Sequence, residues 1–178
     1  DIRVVTSRDG GQSWSQPLQP HRDSTDAEHG FVSLFALQNQ FGLVWLDGRK
    51  YAAAESRKAA GNDGGGEGEM TVRFTTLWPN GELGEESVID ERSCDCCQTS
   101  VAVTSNGPVL VYRDRSGEEI RDISVARLVN GQWSAGVPIH NDNWRVNYCP
   151  VNGPSISAQG QNVAVAWFTA ANDSPRVY

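Results

Sequence analysis

The chain has 178 residues, of which 38% are hydrophobic and 21% charged, and its 15 basic and 22 acidic residues give a net charge of −7. No apolar run approaches the roughly 20 residues that cross a bilayer, and no cluster of Lys and Arg supplies a surface for nucleic acid. We therefore expect a globular chain without a membrane span or a nucleic-acid partner. Eighteen glycines, eight prolines and six tryptophans indicate short strands joined by tight turns, which favours the all-β class.

A pattern of 15 residues occurs three times along the chain, at 33–47, 100–114 and 155–169. Each copy starts with Ser, continues as an alternating apolar strand, turns through polar residues and ends a second strand in an aromatic residue. That aromatic residue is Trp45, Tyr112 or Trp167. The copies are 67 and 55 residues apart, close to or somewhat above the length of a propeller blade, so the repeat favours an array of similar units over one sandwich.

A second hairpin follows each of the first two copies, at 70–89 and 123–139, and makes four strands per repeat. Residues 1–20 read as a second hairpin without a first, and residues 175–178 as a third strand without a fourth. A closed β-propeller needs about four to eight blades. We therefore predict an all-β partial ring of about three four-stranded blades, whose open strand edges pair with missing blades or with a second copy of the chain.

The turn of the first hairpin, residues 7–14, fits the pattern S-x-D-x-G-x-[ST]-W of the Asp box at every fixed position. The residues at those positions are Ser7, Asp9, Gly11, Ser13 and Trp14. In this motif the Asp carboxylate accepts backbone N–H groups across a tight turn, glycine allows positive φ, and the Trp is expected to pack between neighbouring strands. The motif predicts a structural role for these residues and no catalysis.

With this motif the chain resembles the sialidase-like β-propellers that carry BNR repeats. Residues 94–99, 111–122 and 149–154 resemble a bacterial branch of exo-α-sialidase-like proteins. The resemblance implies a sialidase-type propeller, of which this chain holds about half of six blades. The implied organisation is the end of a first blade at 1–29, a second blade at 30–93 with a Gly-rich insertion at 51–69, a third at 94–147 and the start of a fourth at 148–178.

One face of such a propeller is expected to carry the functional groups. The loops between second and third strands and the connections between blades share this face, and they contain all three His, all four Cys and most of the Arg. The resemblance implies the same face, opposite the Asp boxes. The Gly-rich segment 61–69 lengthens one of these loops, lacks the P-loop and EF-hand patterns, and is expected to form a mobile lid or a disordered tip.

Arginines are the candidate ligand-binding residues, because a guanidinium binds a carboxylate through two parallel hydrogen bonds. The sialidase resemblance implies such a cluster, but the N-terminal Arg-Ile-Pro motif of that family is missing here, so no Arg is assigned to a fixed place in it. Surface ion pairs without a function are the alternative. The candidates are Arg49, Arg113, Arg115 and Arg145, with Arg92 and Arg121 also available.

Catalysis would need a carboxyl group, and Asp47 and Asp114 occupy the same position in two repeats, just after the strand aromatic. Turn formation is the alternative role for both. The other carboxyl candidates are Glu118, Glu119 and Asp95. The resemblance implies a Tyr nucleophile assisted by a carboxylate. The options for that nucleophile are Tyr112 and Tyr148.

Three of the four cysteines lie at 94–97, and the repeat places Cys94 opposite Cys149, each six residues before the repeat Ser. We therefore predict a disulfide between Cys149 and this group, with Cys94 as the partner by register. Metal binding by Cys94 and Cys97 with His140 is the open alternative. A disulfide suits an exported protein, which predicts a secreted or periplasmic location.

The sialidase resemblance implies a hydrolase that cleaves a terminal glycosidic bond of an acidic sugar, and no cofactor is expected. The rival hypothesis is a non-catalytic propeller that binds a glycan or a protein through the same loop face. Under either hypothesis the expected ligand is a carbohydrate or another acidic small molecule.

Overall fold

The structure of the chain, a computed structural model, describes residues 1–61 and 68–178. Its regular structure consists mostly of antiparallel strands, with one α-helix among the described residues, which confirms the predicted all-β class. No helix in the described ranges has both the length and the apolar character that a bilayer crossing requires.

The first repeat folds as one four-stranded antiparallel sheet whose strands pair in chain order. Its strands are β1 (His29–Leu37), β2 (Gln40–Asp47), β3 (Met70–Leu77) and β4 (Ser87–Ser93). Strand β2 is buried from Gly42 to Asp47 and is therefore covered on both faces. Glycine is needed at position 42 because the ring of Phe35, its partner on β1, lies where a Cβ atom would be.

Helix α1 (Arg49–Ala59) follows β2 and occupies the first part of the segment that we predicted to be a Gly-rich insertion. Residues 51–59 of that segment are helical, because a run of alanines favours helix and Arg57 and Lys58 complement the helix dipole in the last turn. Residues 62–67, which belong to the predicted lid or tip, lie outside the described residues.

The second repeat also folds as one sheet, but its predicted fourth strand is broken in two. The strands are β5 (Ser100–Thr104), β6 (Gly107–Arg113), β7 (Ile123–Val129), β8 (Gln132–Trp133) and β9 (Val137–Pro138). Their order is β5-β6-β7-β8, and β9 also pairs with β7. The break lies at Ser134, whose hydroxyl accepts the amide of Arg127 on β7 at 3.0 Å in place of a strand carbonyl.

The third copy of the pattern forms a hairpin of β10 (Ser155–Gln159) and β11 (Asn162–Ala166). Beyond it, β12 (Phe168–Thr169) pairs with β13 (Arg176–Val177), and a 3₁₀ turn at Ala171–Asp173 lies between them. All three copies of the pattern thus become antiparallel hairpins. The hairpin predicted at 1–20 is reduced to a single bridge between Val4 and Leu18.

The core lies on both sides of β2, because successive residues of a strand point to opposite faces. Val44 and Leu46 pack with apolar residues of β3, β6 and β7. Leu43 and Trp45 face the other way and pack against Ile2. The first strands of the three hairpins are neighbours, with β1 beside β5 and β5 beside β10. The described strands form no closed ring, and the number of blades stays a prediction.

The Asp box forms the tight turn that its pattern predicts. Asp9 Oδ1 accepts the amides of Gln12 and Ser13 at 3.0 and 2.9 Å, and Ser7 Oγ accepts the amide of Gly11 at 2.7 Å. Gly11 has a φ of 90°, a conformation that residues with a side chain rarely adopt. Hydrogen bonds from Ser13 are the main cause of a lowered pKa of Asp9, which therefore stays ionised and holds the turn.

Trp14 does not pack as the motif predicted. It is 61% exposed and lies near Leu34 and Phe41, two other exposed apolar residues, at a cleft of about 430 Å³. The predicted position between strands was therefore wrong, because most of the Trp14 side chain lies at the surface.

The structure confirms a disulfide between Cys149 and the cysteines at 94–97, but the partner is Cys96 and not Cys94, which the register had favoured. The Cα atoms of Cys96 and Cys149 are 6.2 Å apart, and the disulfide joins the β4–β5 connection to the segment that follows β9. Cys94 is buried, its amide donates to the carbonyl of Arg113 at 3.0 Å, and its sulfur lies 2.9 Å from that of Cys97. The repeat register therefore predicted that Cys94 lies close to Cys149, but not which cysteine of the group bonds Cys149.

Replacing Cys149 by Ser should lower the free energy of unfolding by about 4 kcal/mol, because the bond links residues that are 53 positions apart. Urea unfolding in the absence of reductant measures this change. Wild-type protein treated with dithiothreitol is the matched control, and its stability should fall to that of C149S. A reductant that leaves the wild-type stability unchanged would contradict the bond.

Candidate functional site

Three arginine side chains converge on the carboxylate of Glu119, and we call Arg92, Arg115, Arg121 and Glu119 the arginine cluster. Arg92 Nη2 and Arg115 Nη2 each donate to Glu119 Oε1 at 3.0 Å, and Arg121 Nη2 donates to Oε2 at 3.0 Å. Arg115 Nε adds contacts of 3.1 Å to both oxygens. Glu119 thus receives charge-assisted hydrogen bonds from three side chains, although 26% of its own side chain stays exposed.

Two segments carry the arginine cluster. Arg92 lies near the end of β4, whereas Arg115, Glu119 and Arg121 belong to the β6–β7 loop. This loop turns at Ser116, whose carbonyl accepts the amide of Glu119 at 3.1 Å. Glu119 has a φ of 61°, a left-handed conformation that is unfavourable for a residue with a side chain. The loop therefore holds backbone strain at the residue that meets the arginines.

A tyrosine and an aspartate extend the arginine cluster on one side. Tyr51, in the first turn of α1, donates its hydroxyl to Asp95 Oδ1 at 3.0 Å. Arg115 Nη1 donates to the Tyr51 oxygen at 3.1 Å and to Asp95 Oδ1 at 3.3 Å. Burial, and then the charge of Asp95, raise the pKa of Tyr51. The phenol is therefore protonated at rest and is in contact with both a proton acceptor and a cation.

Two clefts reach these residues. One, of about 470 Å³, is lined by Tyr51 and Asp95 together with the segment before β1. The other, of about 760 Å³, is lined by Glu119 and by the segment that contains Arg145 and Tyr148. Ligand pockets commonly measure about 300–1,000 Å³, so each cleft has room for a small ligand.

The charges of the site are balanced by its own carboxylates. Hydrogen bonds from Arg115 are the main cause of the lowered pKa of Glu119, so this carboxylate is ionised at neutral pH. Burial opposes ionisation of Arg115, but Glu119 and Asp95 outweigh burial and raise the pKa of its guanidinium. Arg92 also pairs with Glu69 at 3.2 Å. An anionic ligand would therefore have to displace a carboxylate of the protein.

Arg113 is a structural residue, which contradicts its predicted role in ligand binding. It is 1% exposed, and its guanidinium donates to the carbonyls of Arg121, Asn152 and Phe168 at 2.6, 2.8 and 2.7 Å. The ring of Trp144 lies 5.0 Å from the guanidinium carbon. The sequence places Arg113 at the end of a strand but does not reveal that this end lies inside the protein.

Asp47 and Arg49 bind each other and do not form the predicted site. Arg49 Nε and Nη2 donate to the two carboxylate oxygens of Asp47 at 2.7 and 2.6 Å, and Arg49 also pairs with Glu86 at 2.9 Å. Burial opposes ionisation of Asp47, but hydrogen bonds from Arg49 and Trp45 outweigh burial and lower its pKa. Because an ionised carboxylate donates no proton, the geometry contradicts the prediction of Asp47 as an acid and of Arg49 as a ligand-binding residue.

Two buried histidines lie beside this ion pair, and the Arg49 guanidinium contacts the carboxylates of both Asp23 and Asp47. The rings of His21 and His29 stack with centroids 3.7 Å apart, and His29 Nε2 lies 3.2 Å from Asp23 Oδ1 and 3.4 Å from Asp47 Oδ2. Arg49 Nη2 lies 3.4 and 2.6 Å from the same two oxygens. The group is therefore an ion-pair network that anchors the segment before β1 to the end of β2.

Of the remaining candidates, Asp114 is held by hydrogen bonds, whereas Glu118 and Arg145 are exposed. Asp114 accepts the amide of Arg115 at 2.6 Å and the hydroxyl of Ser124 at 3.1 Å. Burial, and then the charge of Asp90, raise the pKa of Asp114, which suits a proton donor. The exposed candidates, which line the 760 Å³ cleft, are Glu118 and Arg145.

The tyrosine at the arginine cluster is Tyr51, which the sequence did not single out. Tyr112 is buried and donates to Asp90, and burial is the main cause of its raised pKa, so it is a core residue. Tyr148 is 62% exposed at the larger cleft and lies outside the hydrogen bonds of the arginine cluster. Tyr51 was missed because it begins the segment that was interpreted as an insertion. Its one available signal is its place just after β2, in a loop of the predicted functional face.

Two free thiols lie behind the arginine cluster. Cys94 and Cys97 are buried, and Cys94 Sγ accepts Arg121 Nη1 at 3.4 Å. The hydrogen bond from Cys97 is the main cause that lowers the pKa of Cys94 to about 6. His140 pairs instead with Asp142 at 2.9 Å, so the structure does not bring together the predicted metal-binding set.

No protein-family model, no curated protein and no solved structure matches this chain. Its function must therefore be inferred from the arginine cluster, the pair of Tyr51 and Asp95, and the clefts beside them.

Replacing Asp114 by Asn should stabilise the fold at pH 7 more than at pH 4. The carboxyl has a raised pKa only in the folded state, so its ionisation opposes folding above the ordinary carboxyl range and has little effect below it. An Asn side chain stays neutral and can bond both Ser124 and the amide of Arg115. Urea unfolding at the two pH values measures the difference, with exposed Asp26→Asn as the control. A larger gain at pH 4 than at pH 7 would contradict the raised pKa.

Proposed function

We propose that this chain is part of a sialidase-like β-propeller that binds an acidic sugar at the arginine cluster and hydrolyses its glycosidic bond. The observation that carries the proposal is the convergence of three guanidinium groups on one carboxylate, with a tyrosine and a second carboxylate in contact with one of them. Guanidinium groups bind carboxylates strongly and directionally. The carboxylate of Glu119 then marks the place that the carboxylate of the sugar would take.

The placement of the site in the chain supports the propeller. Tyr51 lies between the second and third strands of the first sheet, and Glu119 lies between the equivalent strands of the second sheet. Arg92 and Asp95 lie at the connection between the two sheets. The Asp box contacts the other ends of the strands, where Arg8 donates to the carbonyl of Pro79 in the β3–β4 turn. The site and the Asp box thus lie at opposite strand ends, as the sialidase resemblance implies.

The chemistry available at the site suits glycoside hydrolysis. Asp95 accepts the hydrogen bond of Tyr51 and would take its proton as the phenol oxygen attacks the anomeric carbon. Arg115, which donates to that oxygen, would stabilise its negative charge. Asp114, with its raised pKa, is the proposed donor of a proton to the leaving oxygen.

We propose a secreted or periplasmic location on the basis of the Cys96–Cys149 disulfide, because such bonds persist in oxidising compartments. The exposed apolar residues around Trp14 support a neighbour on that side of the first sheet. We propose that further blades, or a second copy of the chain, cover it.

Glu119→Gln should bind an acidic monosaccharide about tenfold more tightly than wild type, because the ligand no longer competes with a charged side chain of the protein. Isothermal titration calorimetry with glucuronic acid and with N-acetylneuraminic acid measures the change, and glucose is the neutral control ligand. Arg115→Gln should weaken binding, whereas Arg127→Gln, an exposed arginine on β7, should leave it unchanged. Equal affinities of wild type and E119Q for both acids would contradict the proposed place of the ligand.

Turnover of a fluorogenic α-sialoside separates the enzyme from the non-catalytic binder. We expect Tyr51→Phe to abolish turnover and to keep most of the affinity for N-acetylneuraminic acid, because only the attacking oxygen is lost. Asp114→Asn should reduce turnover strongly without loss of stability at pH 7, because the variant removes the proposed proton donor and also removes a buried charge. If wild type binds acidic sugars but cleaves neither α-sialosides nor uronides, the hydrolase is rejected and a glycan-binding propeller is the function.

A further inference from the structure

All four cysteines of the chain meet at one place behind the arginine cluster. The Sγ atoms of Cys94, Cys96 and Cys149 lie within 4.8 Å of one another, and Cys97 Sγ lies 2.9 Å from Cys94 Sγ. Cys96 and Cys149 form the disulfide, whereas Cys94 and Cys97 are free. A free thiol therefore lies next to a disulfide.

The surroundings of Cys94 favour its thiolate, which is the nucleophilic form of cysteine. The sulfurs of Cys94 and Cys97 lie 2.9 Å apart, within hydrogen-bond distance, and Arg121 Nη1 donates to Cys94 Sγ at 3.4 Å. The side chain of Arg121 is only 3% exposed, so its positive charge is poorly screened by water. These groups, with the Cys97 hydrogen bond first, lower the pKa of Cys94 to about 6.

Burial decides which electrophile this thiolate can reach. Cys94 is 0% and Cys97 1% exposed, which keeps dissolved oxidants and partner proteins away from both sulfurs. Among the described residues, the disulfide sulfurs in reach of Cys94 are those of Cys96 and Cys149. The Cys94 thiolate can therefore react with the disulfide sulfurs inside the protein.

We propose that Cys94 exchanges with the Cys96–Cys149 disulfide, so that Cys149 alternates between two partners. The Cys94 thiolate attacks Cys149 Sγ, a Cys94–Cys149 bond forms as the Cys96–Cys149 bond breaks, and Cys96 leaves as a thiolate. One disulfide is present before and after the step, so no oxidant or reductant is consumed.

Cys149 is the favoured target of the attack. A bond from Cys94 to Cys96 would close a small ring around one intervening residue, Asp95, and would strain the backbone. A bond from Cys94 to Cys149 joins the two segments that the present disulfide joins. It is also the pairing that the repeat register predicts from the sequence.

The exchange would act on the arginine cluster through Arg121, which donates both to Cys94 Sγ and to Glu119 Oε2. A sulfur in a disulfide carries no charge and is a weaker acceptor than a thiolate. Arg121 would then keep the carbonyl of Val146 and the carboxylate of Glu119 as partners, and would hold an anion at the cluster more tightly. This consequence rests on the proposed function, whereas the exchange itself does not.

Trapping the released sulfur tests the exchange. Folded wild-type protein is incubated with N-ethylmaleimide, quenched in acid and digested with pepsin, and tandem mass spectrometry locates each label and each disulfide. We expect Cys96, which is partly exposed, to become labelled while a Cys94–Cys149 bond accumulates. In the matched variant Cys94→Ser, the label on Cys96 should be lost and the Cys96–Cys149 bond should persist. Equal labelling of Cys96 in wild type and C94S would overturn the proposal.

A second variant covers the case in which C94S fails to fold. Cys96→Ser, oxidised with glutathione disulfide, should contain a Cys94–Cys149 bond, and a free Cys149 in this variant would overturn the proposal. Titration of wild type with N-acetylneuraminic acid is independent of the disulfide and label assignments. If wild type shows the exchange but does not bind the acid, the proposed function is rejected and the exchange stands.

Discussion

A guanidinium buried in the interior needs acceptors for its N–H groups, because an unpaired buried charge costs several kcal/mol. Arg113 meets this requirement with the carbonyls of Arg121, Asn152 and Phe168. These carbonyls lie in the β6–β7 loop, in the segment before β10 and in β12, which no single sheet connects. One side chain therefore holds together the segments that surround the arginine cluster. The position of Arg121, and with it that of Glu119, depends on this contact.

The need of a buried charged group for a partner also distinguishes the structural arginines from those of the arginine cluster. Arg49 pairs with Asp47, whose side chain is fully buried, so loss of this contact would leave a buried carboxylate without its main charged partner. Arg92 and Arg115 are 29% and 17% exposed in their side chains and share a carboxylate that faces solvent. Their exposure lets water reach these contacts. For this reason we propose the arginine cluster as the place where the carboxylate of a ligand would replace that of Glu119.

The strands could be predicted because their signal is local. Alternation of apolar residues determines which side chains face the core, and each of the three copies of the pattern became a hairpin. The loop face that carries the candidate site followed from the same strand order. Contacts between distant segments left no such signal, and the exposure of Trp14, the burial of Arg113 and the choice of Cys96 as the partner of Cys149 all depend on them.

Tyr51 shows the same limit within the candidate site. Helix α1 brings it to Asp95 and Arg115, which are 44 and 64 positions away along the chain. A glycine-rich stretch follows the helix, and composition alone favoured a loop over the whole segment. Arg115 was predicted as a ligand-binding residue from its place at a strand end, but its partners could not be. Which arginines share Glu119 depends on how the two sheets meet.

The most direct measurement of the central claim is a crystal structure of the chain with N-acetylneuraminic acid. We predict that the ligand carboxylate lies within about 3 Å of the guanidinium groups of Arg92, Arg115 and Arg121, and that the side chain of Glu119 has turned away from them. A ligand bound elsewhere, with Glu119 still held by all three arginines, would contradict the claim that the arginine cluster is the site of acid binding.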